Sequence, residues 1–320
     1  RGEADVVIAG GGDSTSNAVV SFGPKLVQTL GPVALSRKSG AMDWLGAVAQ
    51  LRPLNEVLPR KPEIAERSTG ELMGEAAERM AKRNNISRED QDQLAYESHV
   101  KANAAHEAGR FADEITAVPG HLDTDNLVRG DTSLEKLARL KPVFDRKEGT
   151  LTAANSTALT DGAAAVLVME EEKAKALGYT PLAAFRSWSY VGVDPADQLL
   201  IGPAIAMPKA LERAGMELSD IGLFDIHEAF AAQVLCVLQA LESEAWAQQR
   251  LGRDKAVGSV PREKLNVQGG SIAIGHPFAA TGARMVTTVA HELARSDAET
   301  ALLGICAAGG LGAGAVLERV

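Results

Sequence analysis

From residue 151 to the C-terminus, short apolar runs alternate with helical stretches, and this alternation restricts the fold more than any other feature of the chain. The runs are "AAVLVM", "LAAFRSWSYVG", "IGLFDI", "ALLGICA" and "LGAGAVLERV". Between them lie "EEKAKALG", "PAIAMPKALERAG", "AFAAQVLCVLQALE" and "TGARMVTTVAHELAR", each with helical apolar spacing. Strands this short and this apolar are expected inside a layered α/β core. Upstream, "DVVIAG" reads as one more strand of the buried type, and it opens a Gly-rich turn as "LLGICAAGG" does. The likeness of the two hints at an internal duplication.

Between "DVVIAG" and about residue 150 strand signals are weak and helices dominate. "AMDWLGAVAQL" predicts a helix, followed by the Pro-punctuated connector "RPLNEVLPRKPEIAERS". Ser68 and Thr69 predict the cap of the next helix, Ser87 that of the one after, and Gly109 its stop. Amphipathic helices make this an inserted helical region rather than a linker.

A net charge of −9 excludes a nucleic-acid surface, which needs clustered Lys and Arg. Cys236 and Cys306 are the only cysteines, so neither a disulfide framework nor a zinc cluster is expected. That usage fits a reducing, cytoplasmic compartment. No apolar run reaches the roughly 18 residues that span a bilayer. The chain opens on a buried-type strand with no start Met or leader, which predicts that it begins inside a domain. "GxSxG" and "GxxxxGK[ST]" are absent, and "GGGDS" is a weak nucleotide signal.

Three segments near strand ends carry chemistry-bearing side chains: "HEAF" with His227, "GHP" with His276 and "CAAGG" with Cys306. Open α/β folds place their sites at strand ends. Taken singly, each has a bland reading: a small buried thiol, a hydrogen-bonded cap and a turn. A cysteine with two histidines in such positions suffices for thiol acid–base or acyl chemistry. Cys236, inside "AFAAQVLCVLQAL", reads as core. His99, His106, His121 and His291 read as surface residues.

"NVQGGSIAIGHPFAATGAR", "DIHEAF" and "CAAGGLGAG" resemble the three C-terminal active-site blocks of the thiolase family. "ADVVIAGGGDSTS", "RGDTSLEKLARLKPVF" and "GTLTAANSTALTDGAAAV" resemble its other blocks, in order, so the likeness spans the chain. His227, where many members carry Asn, and "GDSTS" are similar to the 3-ketoacyl-CoA thiolase (β) subunits of bacterial trifunctional-type fatty-acid β-oxidation complexes. The resemblance implies two similar α/β halves layered α-β-α-β-α, with a helical loop domain inserted in the first. Residues 1–12 and 151–180 would belong to the N-terminal half, 13–150 to the loop domain covering coenzyme A, and 181–320 to the C-terminal half.

The implied reaction is thiolytic cleavage of 3-ketoacyl-CoA, with coenzyme A as substrate and no permanently bound cofactor or metal. Cys306 matches the acid–base cysteine of the family, His276 the histidine that activates the nucleophile, and His227 the oxyanion-hole position. The Ala308 backbone N–H would form a second oxyanion hole, and Gly309 would lie against substrate. Arg129, Lys136 and Thr157 match coenzyme A contacts, and Phe230 would pack near the acyl group. A thiol beside a histidine and a Gly-rich N–H cluster is expected to have a lowered pKa. By that resemblance the family's nucleophilic cysteine and the first strands of its first half fall upstream of "DVVIAG", before Arg1, and because the first sheet would lack those strands the 320 residues alone are expected to fold poorly. The competing readings are a non-catalytic thiolase-like subunit lacking the nucleophile and a ketoacyl-synthase-type condensing enzyme. The latter chemistry uses no acid–base cysteine. Implied partners are acyl-CoA substrates, a second thiolase subunit in a homodimer and a hydratase/3-hydroxyacyl-CoA dehydrogenase α subunit. The helix around Trp44 would pack within the insertion, line an acyl tunnel, touch a partner or make a peripheral membrane contact.

Overall fold

The structure, a computed structural model, describes residues 3–52, 56–60 and 64–320. The Pro-punctuated connector lies partly outside them. By compactness the chain separates into Arg1–Thr15 with Ala65–Val320, and Ser16–Ile64. The larger unit opens with strand β1 (Val6–Asp13). The smaller unit contains β2 (Ser21–Phe22), α1 (Pro24–Leu35), α2 (Ala41–Ala49) and β3 (Pro59–Arg60). In it β2 pairs antiparallel with β3, and α1 packs on α2. Of α2 only Ala47 is buried, while Met42, Leu45 and Val48 are exposed.

The larger unit continues with α3 (Met73–Arg83), α4 (Arg88–Glu107) and the short α5 (Leu134–Ala138). Ser87 caps α4 as its sequence predicts, accepting the Asp90 N–H at 3.0 Å, and Gly109 follows the helix end in a left-handed conformation (φ 66°). Ser68 and Thr69 do not cap α3. That helix starts at Met73, where the Glu75 carboxylate takes the Leu72 N–H at 3.0 Å, and Ser68 instead donates to Glu66. A carboxylate three residues into the helix supplanted the hydroxyl signal.

The α/β part runs β4 (Gly162–Met169), α6 (Glu171–Ala176), β5 (Ala183–Gly192), α7 (Pro203–Ala214) and β6 (Leu223–Ile226). Then come α8 (Ala231–Glu242), the single turn α9 (Glu244–Trp246), α10 (Ser271–Ile274) and α11 (Thr281–Arg295). The chain closes with β7 (Thr300–Ala307) and β8 (Leu311–Arg319). Four strands form one sheet in the order β5-β8-β7-β6, in which only β6 and β7 are parallel. β1 and β4 make a separate antiparallel ribbon, from Val6 opposite Met169 to Asp13 opposite Gly162.

Helix α11 lies between these sheets, touching β1 and β4 on one side and β7 and β8 on the other. Its Met285, Val289 and Leu293 pack on Ala301, Leu303 and Leu317. Helix α7 covers the opposite face, where Leu302 and Val316 join Ala204, Met207 and Leu211 in the main core. The period-two alternation of β7 therefore feeds two different cores. The order helix, sheet, helix, sheet gives four of the five layers expected. The buried reading of "DVVIAG" does not hold among the described residues. β1 has one neighbour there, and Val6, Val7 and Ile8 are exposed, Ile8 by 77%.

Two glycines set how closely α7 rides on the sheet. A Cβ at Gly304 would come 2.4 Å from the Met207 sulfur, and one at Gly314 2.6 Å from the Ala206 carbonyl oxygen. Ser187 and Ser189 of β5 reinforce the contact by donating to Ala210 and Ala206 carbonyls, both at 2.6 Å. Gly314→Ala is therefore expected to push α7 off β8 and cost about 1–3 kcal/mol, read as a lower urea midpoint.

Candidate active site

The site is assembled where β6 ends beside β7. Ile226 pairs with Gly304, and the His227 N–H then donates to the Gly304 carbonyl at 2.8 Å, carrying the parallel pairing one residue further. Cys306 lies two residues along β7, on the same face as Gly304. This register brings His227 Nδ1 to 3.4 Å from Cys306 Sγ. The "GHP" segment arrives from α10. Gly275 has φ 107°, and a Cβ there would sit 2.6 Å from Thr160 Oγ1, so the turn needs glycine. Thr160 accepts the His276 N–H at 3.2 Å, and Leu159 bridges to His276. The His276 ring then faces that of His227, with centroids 4.2 Å apart, and meets Phe278 edge-on at 5.0 Å.

Thr281 orients His276. Its hydroxyl contacts His276 Nδ1 at 2.6 Å and donates to the Pro277 carbonyl at 3.1 Å. Both contacts are made together only if Nδ1 carries the proton and donates to Thr281, because a carbonyl can only accept. His276 Nε2 then holds the lone pair, as a general base requires.

Beneath the histidines lies a residue not singled out from "HEAF". Glu228 is buried, and its carboxylate accepts from Ser98 Oγ at 2.7 Å, from Asn266 Nδ2 at 2.6 Å and from the Ile272 N–H at 3.2 Å. Ser98 in turn accepts the Gly270 N–H at 3.0 Å. One side chain thus ties β6, α4, the Gly-rich loop and α10 together. Its sequence signal was an acid between His227 and the apolar run "AFAA" at a strand end.

The site is buried, and burial dominates its electrostatics. Desolvation, helped by His276 and Arg284, holds His227 well below the usual histidine range. Desolvation and then Arg284 bring His276 down to about 4, against a small opposing pull from Asp13. Both rings are neutral near pH 7. Burial pushes the Cys306 thiol up to about 12, which overturns the lowered pKa expected from sequence. The neighbouring histidine is itself uncharged and offers no positive field. Desolvation likewise raises Asp225 to about 6, although Arg284 lies 3.7 Å away and opposes it. The gap is too long for a hydrogen bond, so burial prevails. Asp161 anchors a loop, accepting from the hydroxyls of Ser14 and Thr15.

Ala308 and Gly309 are exposed in the β7–β8 turn directly after Cys306. Gly309 (φ 83°) and Gly310 (φ 69°) take the left-handed conformation and Ala308 does not, so alanine fits there without strain. Away from the histidines, Arg129 and Lys136 line one groove of about 340 Å³ with His99, Leu127, Ser156 and Ile272. Lys136 pairs with Asp131 at 2.8 Å. Thr157 is not among the residues lining this groove, and its hydroxyl donates to the Ser271 carbonyl at 2.7 Å. Its neighbour Ser156 does line it and has a buried Oγ without a hydrogen-bond partner among the described residues. Phe230 is buried, edge-on to Phe144 at 6.2 Å, and bridges to Ser156. His99 is not a surface residue. It is buried on the inner face of α4 and accepts the Arg129 N–H at 3.2 Å. Cys236 lies in the core, as its sequence predicts, with its thiol pushed up to about 12 by burial.

Comparison with known proteins adds the family. Residues 1–172 match the model of the thiolase N-terminal domain, and residues 179–319 that of the thiolase C-terminal domain. A protein of Shewanella halifaxensis named 3-ketoacyl-CoA thiolase is 48% identical over 99% of this chain and 73% of its own length. One of Pectobacterium carotovorum with the same name is 50% identical over the same shares. The crystal structure of human mitochondrial 3-ketoacyl-CoA thiolase in complex with CoA superposes with a TM-score of 0.79 at 31% identity, over 100% of this chain and 72% of that one.

The buried acid beside the histidines gives a test of the site's electrostatics. Asp225 is held protonated well above its ordinary range, so its contribution is fully present below pH 3.8 and is lost as pH rises through about 6. Asp225→Asn is therefore expected to remove a fall in stability between those pH values, worth a few kcal/mol at most. Urea midpoints of both proteins across that window provide the measurement.

Proposed function

The chain belongs to the thiolase family and is an acyltransferase; on that premise we propose how its residues divide the thiolysis of 3-ketoacyl-CoA into acetyl-CoA and a shortened acyl-CoA. The reading is carried by one observation, a buried thiol in contact with one of two facing, neutral histidines. A thiolate attacks the ketone carbon, the bond between the α- and β-carbons breaks, and its electron pair leaves as the enolate of acetyl-CoA. Cys306 then gives its S–H proton to the enolate carbon. The thiol of a second coenzyme A gives its proton to the Cys306 thiolate, and its sulfur attacks the enzyme-bound acyl group; the shortened acyl-CoA is freed, and the released enzyme thiolate takes back its proton from His276.

His276, with its lone pair on Nε2, serves as base toward the attacking thiol and afterwards, as imidazolium, donates to the oxyanion. His227 stabilises the same developing charge. The backbone N–H of Ala308, with Gly309 beside it, steadies the acyl oxygen of the second half-reaction. Phe230 closes the acyl region against water. A thiol with a raised pKa suits Cys306, because its thiolate is the stronger base for the weakly acidic α-carbon in the condensing direction. The acyl-carrying thiol in this reading is neither Cys306 nor the core residue Cys236.

Arg129 and Lys136, sharing a groove, suit the phosphates of coenzyme A, with Thr157 supporting the loop that carries Ser156. We extend the reading to a homodimer that works with a hydratase/3-hydroxyacyl-CoA dehydrogenase α subunit in the cytoplasm, in fatty-acid β-oxidation. Among the described residues no helix is long and apolar enough to cross a membrane. The exposed apolar side chains of α2 support a peripheral membrane contact.

Cys306→Ala in the whole protein is expected to lower kcat for thiolysis by about 10²–10⁴-fold, and to abolish exchange of the acetyl-CoA α-protons with D₂O. Unchanged turnover would remove Cys306 from the mechanism. Arg129→Ala and Lys136→Ala are each expected to raise KM for coenzyme A about tenfold with kcat little changed, which corresponds to one lost charge-assisted hydrogen bond. A change confined to kcat would place the phosphates elsewhere.

A further inference from the structure

We propose that Glu66 is a positioning residue of the reaction: its carboxylate holds the Gly309 N–H and so fixes the direction of the Ala308 N–H in the β7–β8 turn. The consequence for catalysis rests on the thiolase reading above; the order that the contact brings to the turn does not.

The turn cannot set its own shape. It joins Ala307 of β7 to Leu311 of β8 through Ala308, Gly309 and Gly310. Two successive glycines in the left-handed region have no side chains to restrict them, so other backbone directions cost little. Ala308 and Gly309 are also exposed, so packing restrains them little. A donor for an acyl oxygen must be aimed before substrate arrives, since a misplacement of about 1 Å can cost about 10²-fold in rate.

Two outside contacts supply the restraint. On one side the Gly310 carbonyl accepts the Val193 N–H at 2.7 Å, and a Cβ on Gly310 would lie 2.5 Å from the Val193 oxygen. On the other side stands the buried Glu66. Its carboxylate accepts the Ser68 N–H at 3.0 Å and the Ser68 hydroxyl at 2.7 Å, and it also meets the Gly309 N–H. These donors hold it below the usual carboxylate range, Ser68 contributing most. An ionised acceptor makes the stronger hydrogen bond.

The backbone that carries Glu66 is itself fixed. The Glu66 N–H donates to the Glu71 carbonyl at 2.8 Å, the Glu66 carbonyl accepts the Gly70 N–H at 2.7 Å, and Ala65 bridges to Leu72. Arg79 of α3 then joins this segment to the loop after β5. Its guanidinium donates to both Glu71 carboxylate oxygens, at 2.9 and 2.7 Å, and to the Ala196 carbonyl at 3.0 Å. Val193 lies in that same loop. The two holds on the turn are therefore braced against each other through Glu71 and Arg79, independently of His227 and His276. Glu66 acts through the turn and not on the reacting atoms.

Amide hydrogen exchange of the whole protein, read by NMR with nitrogen-15 glycine, tests the contact without substrate. Gly309 is expected to exchange about tenfold or more slower than an unbonded amide, despite its exposure. Glu66→Ala is expected to lose that protection. Ser68→Ala, which keeps the acid but removes its hydroxyl donor, is expected to lose part of it. Single-turnover kinetics test the consequence. In Glu66→Ala, acyl transfer from the enzyme to coenzyme A is expected to slow by about 10–100-fold, while exchange of the acetyl-CoA α-protons with D₂O stays within about threefold. A merely structural role would slow both steps alike. An unprotected Gly309 in wild type, protection unmoved by Glu66→Ala, or an equal loss of both steps would overturn the proposal. If Glu66→Ala does not fold, the wild-type protection and Ser68→Ala decide. A protected Gly309 in a protein that performs no thiolysis would keep the contact and sink the thiolase reading, so the two failures are separate results.

Discussion

The buried carboxylate of Glu228 is the interaction on which the site depends. It stands one residue beyond His227 and gathers donors from Ser98 of α4, Asn266 of the Gly-rich loop and Ile272 of α10. Asn266 extends the tie: its side chain accepts the Ile226 N–H at 2.8 Å and donates to the Ile226 carbonyl at 2.9 Å, completing the edge of β6. Asn266 has φ 45°, a left-handed conformation that asparagine tolerates better than most residues. Burying an acid raises its pKa, as desolvation does here, and only a full set of donors makes the position tenable. The histidines inherit their placement from this network.

Burial of the site has a second effect. Neutral imidazoles are bases and donors at once, depending on which nitrogen holds the proton, and hydrogen bonding alone settles which. Thr281 does so for His276, and Arg284 adds a positive charge that opposes protonation of both rings. Arg284 also donates to Ser271 at 3.1 Å, and the carbonyl of Ser271 receives the Thr157 hydroxyl. Ser271 of α10 and Thr157 of the loop before β4 are thereby joined to the arginine whose charge acts on both rings. The first turn of α11 belongs to the site, and its later turns to the core between the two sheets.

Much of the fold was legible because apolar periodicity is a local signal. β4 through β8, α7, α8 and α11 coincide with the runs that predict them, and Ser87 and Gly109 mark helix ends through chemistry held within a few residues. The errors have one origin. Ser68 and Thr69 lost to Glu75, and His99 turned inward with α4, because neighbours chose among options the sequence left open. The raised pKa of Cys306 belongs with them. A thiol beside a histidine reads as acidic only if the histidine is charged, and burial decided that it is not.

By itself the sequence determined the order of elements, the three loops that hold His227, His276 and Cys306, and the family to which they belong. Spacing, glycine placement and residue type are properties of short segments and need no partner. Only the tertiary structure decided that Cys306 touches His227, that Glu228 and Thr281 hold the rings, and that Arg129 and Lys136 share a groove. These contacts join positions far apart in the chain. Their geometry comes from strand register and helix packing, and their proton affinities from how completely water is excluded.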